Sequence, residues 1–213
     1  MYLSDHVSTK KPLLYWKEVL NEWVFLVHKI QRVAKGRASV YAERERANTG
    51  LLASAAIRNG WIALEECSSE KIGKVSDKDS YKGKSDLYLW RDEKHHEIEA
   101  KFIRYRMFSH GQLERVKQAH DNAKSDSRRS TYIGYKSERK IAVTFIVPII
   151  TPRKSNRYSD SDLSKELQRI IDYIKTELKP VFTSYAFPGP VDIWGSSQKS
   201  QALGVILIGD QIA

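Results

Sequence analysis

Three charged side chains lie in two neighbouring strand-like segments, at a spacing that suits phosphodiester chemistry. Asp86 begins the run DLYLW, and Glu99 and Lys101 lie in the next run, HEIEAKF. Because side chains alternate faces along a strand, Glu99 and Lys101 project from one face about 6 to 7 Å apart. If the two strands pair antiparallel, Asp86 lies opposite the far end of the second strand, where its carboxylate can converge with the other one.

Two convergent carboxylates can hold a hard divalent cation, with backbone carbonyl and water completing the oxygen shell. Mg²⁺ suits such a site, because it prefers oxygen ligands and retains several waters. The ion lowers the pKa of bound water and neutralises charge on a phosphate, while Lys101 orients the water or stabilises the developing negative charge. The competing interpretation is that these residues form only the polar face of a hairpin. Glu97 shares that face but lies one step further out.

The elements that must position these residues follow from hydrophobic periodicity and from turn residues. Asn59-Gly60 is a strong helix stop, and the apolar run Ile141–Ile150 is typical of a strand buried on both faces. Pro148 in that run predicts that regular pairing ends or bulges there. We predict helices at 12–34, 39–58, 112–123 and 163–178, strands at 61–65, 85–90, 97–105, 141–150, 191–194 and 203–208, and loops at 68–83, 125–139 and 151–162.

Asp86 followed by Glu99-Ala100-Lys101 resembles the motif of the PD-(D/E)xK nuclease superfamily, which includes many restriction enzymes, Holliday-junction resolvases and RecB-type exonucleases. The core of that family is a helix, a three-strand antiparallel meander, a helix and a further strand, and the predicted elements of residues 39–150 follow this order. Ser85 stands where the family often has a proline. The resemblance implies an α/β fold with a restriction-endonuclease-like core, a mixed central sheet flanked by helices, and an extra N-terminal helix.

The resemblance also implies roles for individual residues. Asp86 and Glu99 would be metal ligands, and Lys101 would be the catalytic lysine. Many members carry a further glutamate on the first core helix, which points at the metal. Glu45 lies about four helical turns before Gly60 and is our candidate, with Glu43 as its rival.

The predicted order of elements gives one domain over residues 1–213. Residues 1–36 would form an N-terminal accessory helix, residues 37–150 the catalytic core, and residues 151–213 a C-terminal helix and strands. The accessory helix would turn two tryptophans, Trp16 and Trp23, towards the core.

The charge balance points to nucleic acid as a partner. Lysine and arginine number 36 against 26 acidic residues, a net charge of +10, and cations placed on phosphates release condensed counterions. Solubility alone is the alternative explanation of this excess. Candidate contacts are the basic stretches 124–140 and 151–157, together with five lysines between residues 71 and 84 and three tyrosines: Lys71, Lys74, Lys78, Lys82, Lys84, Tyr132, Tyr135 and Tyr158.

Other residues suggest the environment of the chain. Cys67 is the sole cysteine, so an internal disulfide is excluded and a reducing cytoplasm is expected. The chain has no signal-peptide pattern and no apolar run of roughly 20 residues, so we predict a cytoplasmic protein without a membrane partner. His95 and His96 are predicted to lie solvated in a hairpin turn.

The sequence therefore predicts a Mg²⁺-dependent deoxyribonuclease, with Mn²⁺ as a substitute ion, that hydrolyses DNA through a metal-activated water, as restriction-type endonucleases do. One alternative is a catalytically inactive nucleic-acid-binding or assembly subunit of the same fold. Another is an interaction protein whose tryptophan-bearing N-terminal helix docks a partner. The family commonly forms homodimers to cut both strands, but specificity, strandedness, endonuclease or exonuclease action, oligomeric state and biological pathway stay open.

Overall fold

The computed structural model describes residues 3–36, 40–72, 80–132, 138–151, 154, 157–193 and 200–212. Within them, a ten-stranded mixed sheet is flanked by four α-helices. The strands are β1 (His6–Thr9), β2 (Ile62–Ile72), β3 (Ser80–Arg91), β4 (Lys94–Arg106), β5 (Ser130–Tyr132), β6 (Glu138–Ile150), β7 (Phe182–Ala186), β8 (Val191–Asp192), β9 (Gln201–Ala202) and β10 (Val205–Ile212). The helices are α1 (Lys17–Val33), α2 (Glu45–Arg58), α3 (Gln112–Arg129) and α4 (Asp160–Tyr173).

The sheet has the strand order β1-β7-β10-β6-β4-β3-β2-β5, with the short β8 and β9 attached to β6. Strands β2, β3 and β4 form an antiparallel meander, and helix α3 then carries the chain over to β6, which runs parallel to β4. A parallel pair requires such a crossover connection. The predicted α/β class with a mixed sheet flanked by helices is confirmed. None of the described helices is long and apolar enough to cross a bilayer.

The two faces of the sheet carry separate hydrophobic cores because side chains alternate along each strand. On β4, Ile98 and Ala100 pack with α1 and α2, whereas Ile103 and Tyr105 pack with α3 and α4. β6 contributes to both cores, and every residue from 141 to 150 is buried, as predicted. Glu97, Glu99 and Lys101 share the odd-numbered register of β4, which is the α3 face.

The N-terminal helix has the predicted packing role. A 3₁₀ turn at Leu14–Trp16 leads into α1, and Trp16 and Trp23 are both fully buried. Neither tryptophan is available as a surface contact for a partner. The predicted helix 39–58 is shorter than expected: a 3₁₀ turn at Val40–Ala42 precedes α2, and residues 37–39 lie outside the described part of the chain.

Two predicted loops were wrong because polar sequences there form regular structure. β2 and β3 continue their pairing as far as Ile72 and Ser80, so most of the predicted loop 68–83 is a long hairpin around residues 73–79, which lie outside the described residues. Within the predicted loop 125–139, α3 continues to Arg129 and β5 follows directly, and residues 133–137 lie outside the described part of the chain. Backbone hydrogen bonds hold these segments in regular structure. Their polar sequences show no hydrophobic periodicity from which a helix or a strand could be predicted.

The C-terminal strands also differ from the prediction. β1 and β7 were missed, and the expected hairpin between 191–194 and 203–208 is replaced by the short β8–β9 pair and by β10, which pairs with β6 and β7. Trp194 lies outside the described residues. Pro148 does not end β6, which stays paired with β4 up to Ile149. On the edge of β6 opposite β4, however, Pro148 lies where the pairing strand changes from β10 to β9.

His96 was wrongly predicted to be solvated. It is fully buried in β4, where its Nδ1 accepts a hydrogen bond from Trp16 Nε1 at 2.9 Å and its Nε2 lies 2.9 Å from the Tyr15 hydroxyl. Burial, reinforced by the nearby charge of Arg139, lowers the pKa of His96 to about 3. The neutral ring therefore fixes the start of the N-terminal helix on the sheet.

A second buried network connects α3 to the sheet. His120 Nε2 lies 3.1 Å from Asp210 Oδ2, and Lys124 forms an ion pair with the same carboxylate. The other oxygen of Asp210 accepts the backbone N–H of Val181 at 2.8 Å. Burial alone raises the pKa of Asp210, but the hydrogen bonds from His120 and Lys124 outweigh it and lower the pKa to about 2.

This network predicts a pH-dependent contribution to stability. The lowered pKa means that ionised Asp210 stabilises the fold above the unfolded-state pKa of about 4, and that this stabilisation is lost as the pH falls towards 2. Asp210→Asn should reduce the free energy of unfolding by about 2 kcal/mol at pH 7, measured by urea denaturation. The difference from wild type should shrink as the pH falls below about 4. The exposed Asp121→Asn on α3 is the matched control, and equal effects of the two variants would contradict the prediction.

Candidate active site

The candidate site lies where β3 and β4 separate. Their pairing ends at Leu87 opposite Ile98, whereas β4 stays paired with β6 on its other edge up to Arg106. In the same register, the next pair would be Asp86 and Glu99. Asp86 therefore lies beside the middle of β4. The position predicted from the sequence, opposite the far end of this strand, was wrong.

Two carboxylates occupy the edge of β4 that β3 leaves free. Asp86 Oδ2 accepts the backbone N–H of Ala100 at 2.7 Å, and the Glu45 carboxylate lies near the backbone N–H of Phe102. Alternate N–H groups of a strand point to the same side, so these two N–H groups are consecutive on that edge. Backbone N–H groups of a strand require a partner, and at Ala100 an acidic side chain satisfies this requirement.

Glu45 is the first residue of α2, so the helix start brings it to the strand edge. Burial raises the pKa of Glu45, and the neighbouring Asp86 carboxylate raises it further. Its rival Glu43 precedes the helix and is exposed. The structure thus brings Glu45, and not Glu43, into the group around Asp86.

Glu99 is the most deeply buried member of the group, with 2% of its surface exposed. Burial and the repulsion of Asp86 raise its pKa to about 7, against the opposing effect of Lys71. Lys71 Nζ lies 3.1 Å from each carboxylate oxygen, and only the contact with Oε2 has hydrogen-bond geometry. Oε1 is a buried acceptor without a hydrogen bond from any described residue.

Lys101 points from the same face of β4 towards α3, where its Nζ lies 2.8 Å from Asp126 Oδ2. Burial alone lowers the pKa of Lys101, but Asp126, Glu45 and Asp86 together raise it above the ordinary lysine value. The side chain is therefore a stable ammonium. Asp126 also forms an ion pair with Arg129 one turn further along the helix.

Glu97 is fully buried and has a different environment. Its carboxylate accepts hydrogen bonds from the hydroxyl groups of Ser85 and Ser130. Ser85, at the position of the family's frequent proline, therefore connects β3 to β4 through this carboxylate. These hydrogen bonds give the Glu97 carboxylate a structural role between β3, β4 and β5.

A small acidic cavity of about 160 Å³ adjoins the group. Two further glutamates of β2 line it together with Glu45 and Asp86: these are Glu65 and Glu66. Glu66 forms ion pairs with Arg46 and Lys84. Four carboxylates therefore line this cavity. Two of them, Glu45 and Asp86, were predicted from the sequence as site residues.

Several residues predicted to contact nucleic acid have other roles or lie outside the described residues. Lys71 and Lys84 form ion pairs with Glu99 and Glu66. Tyr158 stacks on Phe108 with ring centroids 3.7 Å apart. The structure describes neither residues 74, 78 and 135 nor the side chain of Tyr132.

No protein-family model, curated protein or solved structure matches this chain. The interpretation of the site therefore depends on its geometry and its chemistry.

Mg²⁺ is the ion that the resemblance implies, and the donor atoms fit it. All the candidate ligands are carboxylate oxygens, and Glu99 Oε1 is buried and accepts no hydrogen bond from a described residue. Within the described ranges, however, no three acidic, histidine or cysteine side chains are positioned to share one ion. Lys71 now supplies the positive charge at Glu99, so binding of the ion there requires Lys71 to withdraw.

The raised pKa of Glu99 predicts that this residue destabilises the metal-free protein. Between about pH 4.5 and 7 the folded state holds the proton that the unfolded state has lost, so stability falls as the pH rises through this range. Glu99→Gln should therefore increase the free energy of unfolding by about 1 to 3 kcal/mol at pH 8 without divalent ions. In the Glu99→Gln variant Lys71 loses its charged partner. Because Lys71 is partly exposed, water can solvate its ammonium group.

Urea denaturation of wild type, Glu99→Gln and the exposed Glu93→Gln control measures this effect. The increase in the free energy of unfolding should disappear below about pH 4.5, where Glu99 is protonated in both the folded and the unfolded state. A Glu99→Gln protein that is less stable than wild type at pH 8 would show that the ion pair with Lys71 outweighs the cost of burial.

Proposed function

We propose that this chain is a Mg²⁺-dependent deoxyribonuclease that hydrolyses DNA phosphodiester bonds, with a restriction-endonuclease-like core. The observation that supports this most is the grouping of Glu45, Asp86 and Glu99 with Lys101 around one free strand edge. Carboxylates gathered at one point favour a cation, and a raised pKa in a cleft is characteristic of functional sites.

Asp86 and Glu99 would hold the ion, with Glu45 as a third carboxylate. When bound, Mg²⁺ neutralises charge on the phosphate and lowers the pKa of a water molecule beside it. The chain itself fixes the position of Asp86 through the Ala100 N–H. The protonated Lys101 can donate hydrogen bonds to the attacking water or to a phosphate oxygen, where negative charge develops in the transition state.

The order of elements adds to the proposal. A helix, a three-strand antiparallel meander, a second helix and a parallel strand succeed one another from α2 to β6. This is the order that the resemblance implies for a catalytic core at 37–150, with residues 1–36 and 151–213 as additions to the same domain. The net charge of +10 favours DNA as the partner.

One observation favours the second candidate, a catalytically inactive nucleic-acid-binding or assembly subunit. Two predicted catalytic groups are engaged in ion pairs, Glu99 with Lys71 and Lys101 with Asp126. In an active enzyme these pairs must open when the ion and the substrate bind. In an inactive relative they would be permanent.

Cleavage assays distinguish the two candidates. We expect wild-type protein to cut plasmid, linear or single-stranded DNA with Mg²⁺ or Mn²⁺ and not with EDTA. Asp86→Ala and Lys101→Ala should each lose at least about 100-fold in rate with the fold intact by circular dichroism, because the first removes a ligand of the ion and the second removes the ammonium that would stabilise negative charge on the reacting phosphate. The exposed Lys117→Ala on α3 is the control for loss of a lysine.

Unchanged Mg²⁺-dependent cleavage by Asp86→Ala would contradict the assignment of the site. Metal-independent DNA binding by a wild-type protein that cuts none of the three substrates would support the inactive subunit.

A further inference from the structure

A second and larger cleft begins at Glu45 and extends along the end of β4. It has a volume of about 830 Å³, and Glu45 belongs to both this cleft and the acidic cavity. The cleft is therefore lined by one of the proposed site residues. We call this space the arginine cleft after the four arginines that line it: Arg44, Arg104, Arg106 and Arg115.

The arginine cleft carries excess positive charge. Lys154 also lines it, and among the described lining residues Glu45 is the sole carboxylate. None of the four arginines forms an ion pair with a carboxylate in the described part of the chain. Guanidinium groups without a protein counter-ion, placed around a concave space, are suited to phosphate.

Arg104 differs from its neighbours in being partly buried. One terminal nitrogen donates to the Ala42 carbonyl at 3.1 Å, while Nε is buried and has no acceptor among the described residues. The contact with Ala42 holds the guanidinium at the cleft wall. A buried donor of a charged group that lacks an acceptor is costly, and a bound anion would remove that cost.

Two helices begin at the arginine cleft. Arg44 is the N-cap residue of α2, and Arg115 lies in the first turn of α3. Neither helix start has a side-chain cap. Uncapped N–H groups and the positive end of the helix dipole favour an anion at the same place as the guanidinium groups.

The walls of the arginine cleft also have an apolar part. Phe102, Met107 and Ile193 are among its lining residues. A cavity of about 830 Å³ falls within the range of small-ligand sites, so it can accept about one or two nucleotides. Apolar and aromatic walls combined with cationic groups are characteristic of sites for single-stranded nucleic acid.

We infer that the arginine cleft binds an unpaired stretch of the nucleic-acid strand next to the phosphate that is cut. This inference rests on the proposed nuclease function for the position of that phosphate. The chain would then select substrates with a single-stranded segment at the site, such as a single strand, a frayed end or a flap. Arg106 and Arg115, which are exposed, would contact backbone phosphates, and Phe102 would contact a base.

Binding experiments in EDTA test the inference without catalysis. Fluorescence anisotropy would compare a short oligothymidylate with a blunt hairpin duplex of the same length. We expect wild type to prefer the single strand and Arg106→Ala/Arg115→Ala to bind it about tenfold or more weakly. The slope of log affinity against log salt should become shallower by about 1.4 for the loss of two phosphate contacts.

The matched control is Lys29→Ala/Arg32→Ala, which removes the same charge from exposed positions on α1 and should bind within about twofold of wild type. An Arg106→Ala/Arg115→Ala protein with wild-type affinity for the single strand would overturn the inference, as would equal affinity of wild type for the blunt duplex. A chain that cuts no DNA but shows the expected binding pattern would refute the nuclease proposal and leave the cleft as a single-strand site.

Discussion

The separation of β3 from β4 after the Leu87–Ile98 pair is the feature on which the candidate site depends. A strand that loses its neighbour leaves backbone N–H groups without partners, and a buried unpaired N–H is costly. Here the carboxylate of Asp86 accepts the N–H group of Ala100, and the carboxylate of Glu45 lies near the N–H group of Phe102. One local geometry thus completes the sheet and places two acidic groups beside Glu99, which belongs to the strand itself.

The same arrangement concentrates charge in a poorly solvated place. Burial raises the pKa of both Glu45 and Glu99, and Asp86 adds to both effects. Lys71 and Asp126 compensate by pairing with Glu99 and Lys101. Groups held in unfavourable protonation environments reduce stability, and proteins retain them where they serve a function. The two ion pairs are compatible with an active site that opens when cation and substrate arrive.

The four proposed site residues come from the resemblance of Asp86 and Glu99-Ala100-Lys101 to a nuclease motif, and their roles stay a prediction. The order of the central elements could be predicted from sequence, because apolar runs and turn residues mark these helices and strands. Lys71 and Asp126 could not, since both lie in polar segments whose helix and strand character comes from backbone pairing. The burial of His96 was missed because it depends on Trp16, which is 80 residues distant in sequence. β7 was missed because its pairing with β10 and β1 is decided by tertiary contacts alone.

The most direct test of the proposed metal site is a crystal structure of the protein soaked in Mn²⁺, with the ion located by its anomalous scattering. We expect an anomalous peak for Mn²⁺ between the carboxylates of Asp86 and Glu99, with the Lys71 ammonium withdrawn from Glu99. The absence of an anomalous peak at saturating Mn²⁺, with Lys71 still bound to Glu99, would contradict it.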